Sequence, residues 1–218
     1  MTTFQNRDEA GRKLAEEVRS RLGPRSEDER RIVLGLPRGG VPVALPVAEA
    51  IDASLDVLVV RKLGAPGHEE YAMGAIASGG IEVVDDSVVR RLGVEQDRLD
   101  RIVERERAEL KRREQRFRGD RASPELSGAT VVLVDDGIAT GSTMQAALDA
   151  VREAGAERIV IAVPLAPQDT VQRLERTADE VVCLTTPSPF FAVGQGYRDF
   201  PQVQDDEVAE MLQRSDRA

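Results

Sequence analysis

An α/β fold built on a doubly wound, mainly parallel sheet is predicted by two features of this sequence. Short unbroken apolar runs recur along the chain, at residues 32–36, 131–134 and 159–164 among others. Runs without polar alternation mark strands buried on both faces. Stretches of helical period separate these runs, and strand–helix alternation lays parallel strands side by side with helices on both faces.

The elements follow in order. Asn6 and Glu9 stand at capping-box spacing, and Ala10, Leu14, Val18 and Leu22 form an apolar stripe, so a helix is expected over 6–23, closed by Gly23-Pro24. After a polar linker come a strand at 32–36, a helix at 41–51 that starts just after Gly39-Gly40, and a second strand at 55–60. Residues 74–77 and 81–84, separated by Ser78-Gly79-Gly80, read as a β-hairpin. Further strands are expected at 131–134, 159–164 and 181–184, with helices at 142–154 and 170–176 between them. Pro46 falls inside the helix at 41–51 and predicts a kink or a late start there.

Two segments stand outside the alternation. Residues 94–117 predict a long, highly charged helix with a thin stripe of Leu99, Ile102, Val103, Leu110 and Phe117, suited to covering the core or to a dimer contact. Residues 187–203 gather Phe190, Phe191, Tyr197 and Phe200, four of the seven aromatics in a chain without tryptophan. They read as a lid core or a platform for a planar ligand. The expected organisation is one domain over 1–218, with a core at about 31–185, the N-terminal helix at 6–23 and a lid at about 186–205.

Composition narrows the function. A formal charge of −9 over 218 residues argues against nucleic acid as the partner, because phosphate backbones require a basic face. The single cysteine, Cys183, sits in an apolar run and reads as a buried, inert thiol. One cysteine excludes an intramolecular disulfide and fits a reducing compartment. No apolar run approaches the ~20 residues needed to span a bilayer, so a soluble cytoplasmic protein without a membrane partner is expected.

In doubly wound sheets, ligands bind outside the carboxyl ends of the strands. Three such ends carry chemistry. After Leu36 comes Pro37-Arg38-Gly39-Gly40, whose glycines permit a tight turn with amides near an anion, beside a helix N-terminus. After Val60 come Arg61 and Lys62, a cationic pair suited to clamping an anion. Taken alone, the first also reads as an ordinary strand-to-helix turn and the second as two solvated charges. After Val134 come Asp135 and Asp136, then Ala139-Thr140-Gly141-Ser142-Thr143 opening a helix. That loop is neither G-x-x-x-x-G-K-[ST] nor G-x-G-x-x-G. Its amides and hydroxyls suit a phosphate monoester. Its carboxylates only accept hydrogen bonds, so they suit sugar hydroxyls or a Mg²⁺. A phosphate site beside a diol site describes a ribose 5-phosphate.

These residues resemble a known family. VVLVDDGIATGST, residues 131–143, resembles the signature of type I phosphoribosyltransferases, which bind phosphoribosyl pyrophosphate (PRPP). The stretch 37–40 resembles that family's pyrophosphate loop, which commonly holds a strained or cis peptide. Residues 61–76, RKLGAPGHEEYAMGAI, resemble its flexible catalytic loop, with a likeness to the adenine enzymes in Arg-Lys followed by Glu-Tyr. The likeness covers roughly residues 32–184. FQNRDEAGR at 4–12 and GLPRGGVPVA at 35–44 are more similar to a bacterial group of phosphoribosyltransferase-like proteins than to any named salvage enzyme.

The resemblance implies the type I fold with a small hood, and Mg²⁺-dependent transfer of the phosphoribosyl group of PRPP to a nitrogenous base, in the manner of nucleotide salvage, with release of pyrophosphate. The alternatives are a PRPP sensor of the same fold without turnover, and an interaction protein working through the 94–117 helix. By the resemblance, Asp135 and Asp136 hold the ribose hydroxyls and help to place Mg²⁺, while Ala139, Thr140, Gly141, Ser142 and Thr143 wrap the 5-phosphate. Arg38, Gly39 and Gly40 take the pyrophosphate with Arg61 and Lys62. Glu70 and Tyr71 close over the reacting centre, and Phe190, Phe191 or Tyr197 stacks on the base. Homodimers are the usual arrangement. Ala139 stands where 6-oxopurine enzymes carry Asp, which argues against hypoxanthine or guanine. Gly137 replaces a larger apolar residue and is expected to loosen the loop. His68, the sole histidine, reads as solvated.

Overall fold

Capping chemistry sets the first helix. In the computed structural model, which describes residues 3–119 and 121–215 and only the backbone of residues 68–71, Asn6 is extended and its Oδ1 accepts the Glu9 N–H at 3.0 Å. The Glu9 carboxylate accepts from Gln5 N–H, one residue earlier than in the usual box. Helix α1 then runs Arg7–Leu22 and ends at Gly23, whose φ of 68° suits glycine.

The chain continues through β1 (Arg31–Gly35), α2 (Gly40–Ala50), β2 (Ser54–Val57), β3 (Val60–Ala65), β4 (His68–Ala77) and β5 (Ile81–Val84). Helices α3 (Asp86–Arg91) and α4 (Gln96–Arg118) follow, then β6 (Thr130–Val134), α5 (Ser142–Glu153), β7 (Arg158–Leu165), α6 (Gln168–Leu174), β8 (Glu180–Thr185) and α7 (Asp205–Ser215). Five strands form one parallel sheet in the order β2-β1-β6-β7-β8. Alternate residues of its strands feed two cores. Val33, Val132, Val134, Val160 and Ala162 pack with α1 and α2 on one face. Ile32, Leu34, Val131, Leu133, Ile159 and Ile161 pack with α5 and α6 on the other. This is the doubly wound α/β architecture that the apolar runs predict.

Pro46 neither delays α2 nor ends it. Helix α2 starts at Gly40 and carries Pro46 inside. Its ring packs against Gly11 of α1, where an added Cβ would lie 2.6 Å from Pro46 Cγ. Tertiary packing between α1 and α2 thus accommodates the helix-breaking residue.

The second predicted strand, residues 55–60, is in fact two. β2 leaves the main sheet at Val57, and Leu58 N–H and Val59 N–H are taken by Gly35 O at 3.1 Å and Ser78 Oγ at 3.0 Å. β3 then begins at Val60 in a separate antiparallel sheet, β3-β4-β5. Arg61 and Lys62 therefore stand inside a hairpin strand, not at the carboxyl end of a strand of the main sheet. The segment expected as a flexible loop is that hairpin, with its turn at Pro66-Gly67. The predicted hairpin at 74–84 is present as β4 and β5. The side chains of His68, Glu70 and Tyr71 lie outside the described residues.

The long helix α4 buries the expected Leu99, Ile102, Val103, Leu110 and Phe117 and covers the β3 side of the core, with α7 against it. Cys183 is half-buried in β8, its thiol pushed up by burial, consistent with an unreactive group. Among the described residues, no helix is long and apolar enough to cross a membrane.

At its end α4 is pinned by a buried charge. Arg118 Nε donates to Asp56 Oδ1 at 2.8 Å and its Nη2 to Val57 O at 2.6 Å, with both side chains almost wholly buried. Removing one partner strands the other charge in the core. Arg118→Ala is expected to lower stability by about 3–5 kcal/mol, read as a shifted urea midpoint; an unshifted midpoint would show that the pair is not a structural pin.

Candidate functional site

Strand pairing brings two loops together. β1 and β6 are parallel neighbours with Gly35 opposite Val134, so both loops leave the same end of the sheet, and Leu36 N–H donates to Val134 O at 2.8 Å. The first loop contains a cis peptide between Pro37 and Arg38. Its glycines are dictated by space. A Cβ on Gly39 would lie 2.0 Å from Asp136 Oδ2, and one on Gly40 would lie 2.6 Å from Val134 O. A side chain at Gly40 would force the two loops apart, and one at Gly39 would displace the Asp136 carboxyl group. Gly39 and Gly40 are thus placed directly against Asp136 and Asp135, with Arg38 next to them in the chain.

The second loop is anchored by its carbonyls. Ala139 O accepts from Thr170 Oγ1 at 3.0 Å and Thr140 O from Arg173 Nη2 at 2.5 Å, both from α6. In a trans peptide the N–H points opposite to the C=O. The Thr140 and Gly141 amides therefore turn away from α6, and among the described residues neither has an intramolecular acceptor. Gly141, at φ 78°, caps α5. Thr140 Oγ1 lies 3.1 Å from Ser142 Oγ, and Ala139, Thr140, Ser142 and Thr143 are exposed. Unpaired amides and exposed hydroxyls at the N-terminus of a 12-residue helix are the donors an anion requires.

The acidic pair is enclosed. Asp136 N–H donates to Asp135 Oδ1 at 2.8 Å. Burial and the adjacent Asp136 carboxylate push Asp135 well above the usual carboxylate range. Burial also raises Asp136, opposed by Arg7. Arg7, from the first turn of α1, donates from Nε to Asp136 Oδ2 at 2.8 Å. Its Nη1 donates to Pro201 O at 2.7 Å and its guanidinium lies 3.7 Å from the centre of the Phe200 ring. Phe200 stacks on Tyr197, whose hydroxyl donates to the Asp136 carbonyl at 2.5 Å and whose ring meets Phe4. Burial and the nearby carboxylates raise the Tyr197 phenol, keeping it protonated as that donor.

Gly137 does not loosen the loop. A Cβ there would lie 2.6 Å from Val193 Cγ1 and 3.0 Å from Leu165 Cδ2, so the absent side chain is what lets the 187–203 segment pack down. Three of that segment's aromatics, Phe190, Tyr197 and Phe200, join Phe4 and Leu165 in a small core. Phe191 does not; it is 83 % exposed.

The cations are less tightly gathered. Arg38 Nη1 lies 3.7 Å from Asp205 Oδ1 of α7, and the other oxygen of that carboxylate takes Arg116 at 2.7 Å. Arg61 donates from Nε to Glu106 Oε2 of α4 at 2.8 Å and is turned onto that helix. Lys62 lines a cleft of about 720 Å³ between the hairpin sheet and α5, with Ser142 at its border. The side chains of Glu70 and Tyr71 lie outside the described residues.

Arg7, Asp205, Glu106 and Thr170 were not legible as site residues, because each reaches its partner across a distance in sequence that no spacing encodes. The available cues were the position of Arg7 at the opening of a capped helix and its place in the FQNRDEAGR stretch at 4–12. Among the described residues no group of three or more His, Cys, Asp or Glu is placed to hold a metal. Two carboxylates, one already on a guanidinium, fit a Mg²⁺ that brings substrate oxygens with it, which is how that ion is usually held.

A parallel α/β sheet with a phosphate-suited loop and an acidic pair at adjoining strand ends defines a class of protein by its geometry. The phosphoribosyl transferase domain profile matches residues 3–199, and the chain belongs to that family. It is 49 % identical over 217 residues to a Mycobacterium tuberculosis protein named "Putative phosphoribosyl transferase Rv0571c", covering all of this chain and 48 % of that one. The chain thus spans about half the length of the curated relatives it matches. The crystal structure of TT1426 from Thermus thermophilus is similar at 44 % identity and a TM-score of 0.87, covering 97 % of this chain and 98 % of that one. The AQ2163 protein of Aquifex aeolicus shares the fold at 13 % identity and a TM-score of 0.50, over 94 % and 84 % of the two chains.

The packing at Gly137 is testable by itself. Gly137→Val should cost at least about 1–3 kcal/mol, by overpacking against Val193 and Leu165 and by setting a β-branched residue at φ 157°, seen as a lower urea midpoint. A midpoint equal to the parent protein's would mean that the segment does not pack as described.

Proposed function

We propose that this protein transfers the 5-phosphoribosyl group of PRPP to a nitrogenous acceptor and releases pyrophosphate. The observation that carries the reading is the junction of the β1 and β6 loops, where Gly39 and Gly40 lie against Asp136 and Asp135, followed in the chain by the unpaired amides of 140 and 141.

The 5-phosphate sits on those amides and on the hydroxyls of Thr140, Ser142 and Thr143, with the amides of 139–143 around it. The carboxylates of Asp135 and Asp136 accept from the ribose hydroxyls. Arg38 and the main chain of Gly39 and Gly40 receive the pyrophosphate. As the anomeric bond breaks, positive charge grows on the ribose beside the acidic pair, while negative charge grows on the leaving group beside Arg38. Asp135 and Asp136 would hold a Mg²⁺, which would supply further neutralisation of charge on the leaving pyrophosphate. Arg61 and Lys62 join this clamp only when the hairpin closes and Arg61 exchanges Glu106 for phosphate; Glu70 and Tyr71 ride on the same hairpin and close over the reacting centre. Closure excludes water, which would otherwise hydrolyse PRPP.

The acceptor is a base or related amide other than a 6-oxopurine, because Ala139 lacks the carboxylate that would hold such a ring. Phe191, 83 % exposed on the 187–203 segment, stacks on the planar acceptor in this reading. The protein acts as a homodimer in the cytoplasm, within nucleotide salvage.

With Mg²⁺ and a panel of purines, pyrimidines and related amides, at least one acceptor should release pyrophosphate from PRPP. PRPP binding without release for every acceptor would replace the enzyme by a sensor. The double variant Asp135→Asn, Asp136→Asn should weaken PRPP binding at least about tenfold, or roughly 1.4 kcal/mol, by calorimetry. Unchanged binding would remove the pair from the site.

A further inference from the structure

The acidic pair has a cation of its own. Arg7 is held on three sides, by Asp136 Oδ2 at 2.8 Å, by the carbonyl of Pro201 at 2.7 Å and by the face of Phe200 at 3.7 Å. Its side chain is 11 % exposed and that of Asp136 14 %. A guanidinium with this much engagement does not swing out without undoing the packing of 187–203 on α1. Phe4 and Tyr197 lock the same junction from below, through backbone bonds from Phe4 N–H to Gly196 O and from Arg198 N–H to Phe4 O.

The consequence for Asp136 is geometric. Its Oδ2 belongs to Arg7, and Asp135 Oδ1 belongs to the Asp136 N–H. The two carboxyl groups also face each other within hydrogen-bonding reach, and beyond that mutual contact each keeps one oxygen that no other side chain of the described residues engages. Two oxygens on neighbouring residues match the two hydroxyls of a cis-diol, one apiece. The charge is altered as well, because a guanidinium against one of two adjacent acidic groups cancels negative charge there and weakens the pull of the pair on a divalent ion.

We propose that Arg7 is the positioning residue of the ribose site: it fixes the orientation of Asp136 toward the diol and offsets one carboxylate charge, so that a divalent ion enters with the sugar phosphate and not before it. The inference rests on the PRPP reading for its diol and goes beyond it in assigning the α1 residue that neither the strand-end loops nor the family signature contains.

The test compares the parent protein with Arg7→Gln, Arg7→Lys and Phe200→Leu, each checked for a cooperative melt. Free Mn²⁺ is titrated by electron paramagnetic resonance without any sugar phosphate, and PRPP is titrated by calorimetry with Mg²⁺ present. Arg7→Gln should bind free Mn²⁺ at least about fivefold more tightly than the parent, since a cation has left the acidic pair, and PRPP at least about tenfold more weakly. Arg7→Lys should keep the parent's weak Mn²⁺ affinity. Phe200→Leu, which loosens the clamp without changing charge, should leave Mn²⁺ affinity within about twofold of the parent. A folded Arg7→Gln protein with parental Mn²⁺ affinity and parental PRPP affinity would overturn the assignment and reduce Arg7 to a brace. If the parent itself binds no PRPP, the proposed function falls, and the Mn²⁺ comparison still decides whether Arg7 is the counter-charge of the pair.

Discussion

The contact on which the rest of this structure depends is the approach of the Gly39-Gly40 turn to Asp135 and Asp136. Two carboxylates at the mouth of an apolar core are costly to desolvate, and both are pushed toward the protonated form by that burial. The cost is borne because several elements converge on it. The glycines admit the carboxylate oxygens, Asp136 N–H binds Asp135, and Arg7 arrives from α1. Each of these demands a particular neighbour. Arg7 needs Phe200 and Pro201, Tyr197 needs the Asp136 carbonyl, and Gly137 must lack a side chain for Val193 to fit.

Helices packed around the two sheets supply counter-charges to residues of the strands and their loops. Helix α1 sends Arg7 to Asp136, α4 sends Glu106 to Arg61, and α7 sends Asp205 to Arg38. A charged group near a low-dielectric wall is stabilised by an opposite charge when no ligand is there to provide it. These partners are of unequal exposure. Arg7 and Asp136 are both nearly buried, whereas Arg38 and Asp205 are about a third and a quarter exposed at 3.7 Å, so the second contact is the one an incoming anion displaces with less resistance. The family assignment and the geometry meet here: a sheet shared with distant proteins, and a set of appended helices that tune its charged ends.

Where expectation and structure part, the reason is a competition that sequence does not display. Residues 55–60 are mostly apolar, which marks burial but not which sheet does the burying; the change of sheet at Leu58 is fixed by Gly35 O and Ser78 Oγ, remote in sequence. Pro46 is unfavourable in a helix by local preference, yet Gly11 leaves a space that its ring fills. Gly137 suggests slack when viewed as a missing side chain. It is the opposite once Val193 and Leu165 stand where that side chain would go.

The amino-acid order alone determined the buried parallel strands, the capped first helix, the long covering helix and the phosphate-suited loop. Each rests on information within one or two turns of the chain: apolar period, cap residues, or glycines and hydroxyls in series. Only the folded chain decided that Arg61 turns to α4, that Phe191 stands apart from its aromatic neighbours, and that Arg7 holds Asp136 across 129 positions of sequence. Those are pairings between surfaces that meet after packing, and a side chain carries no local mark of the partner it will find there.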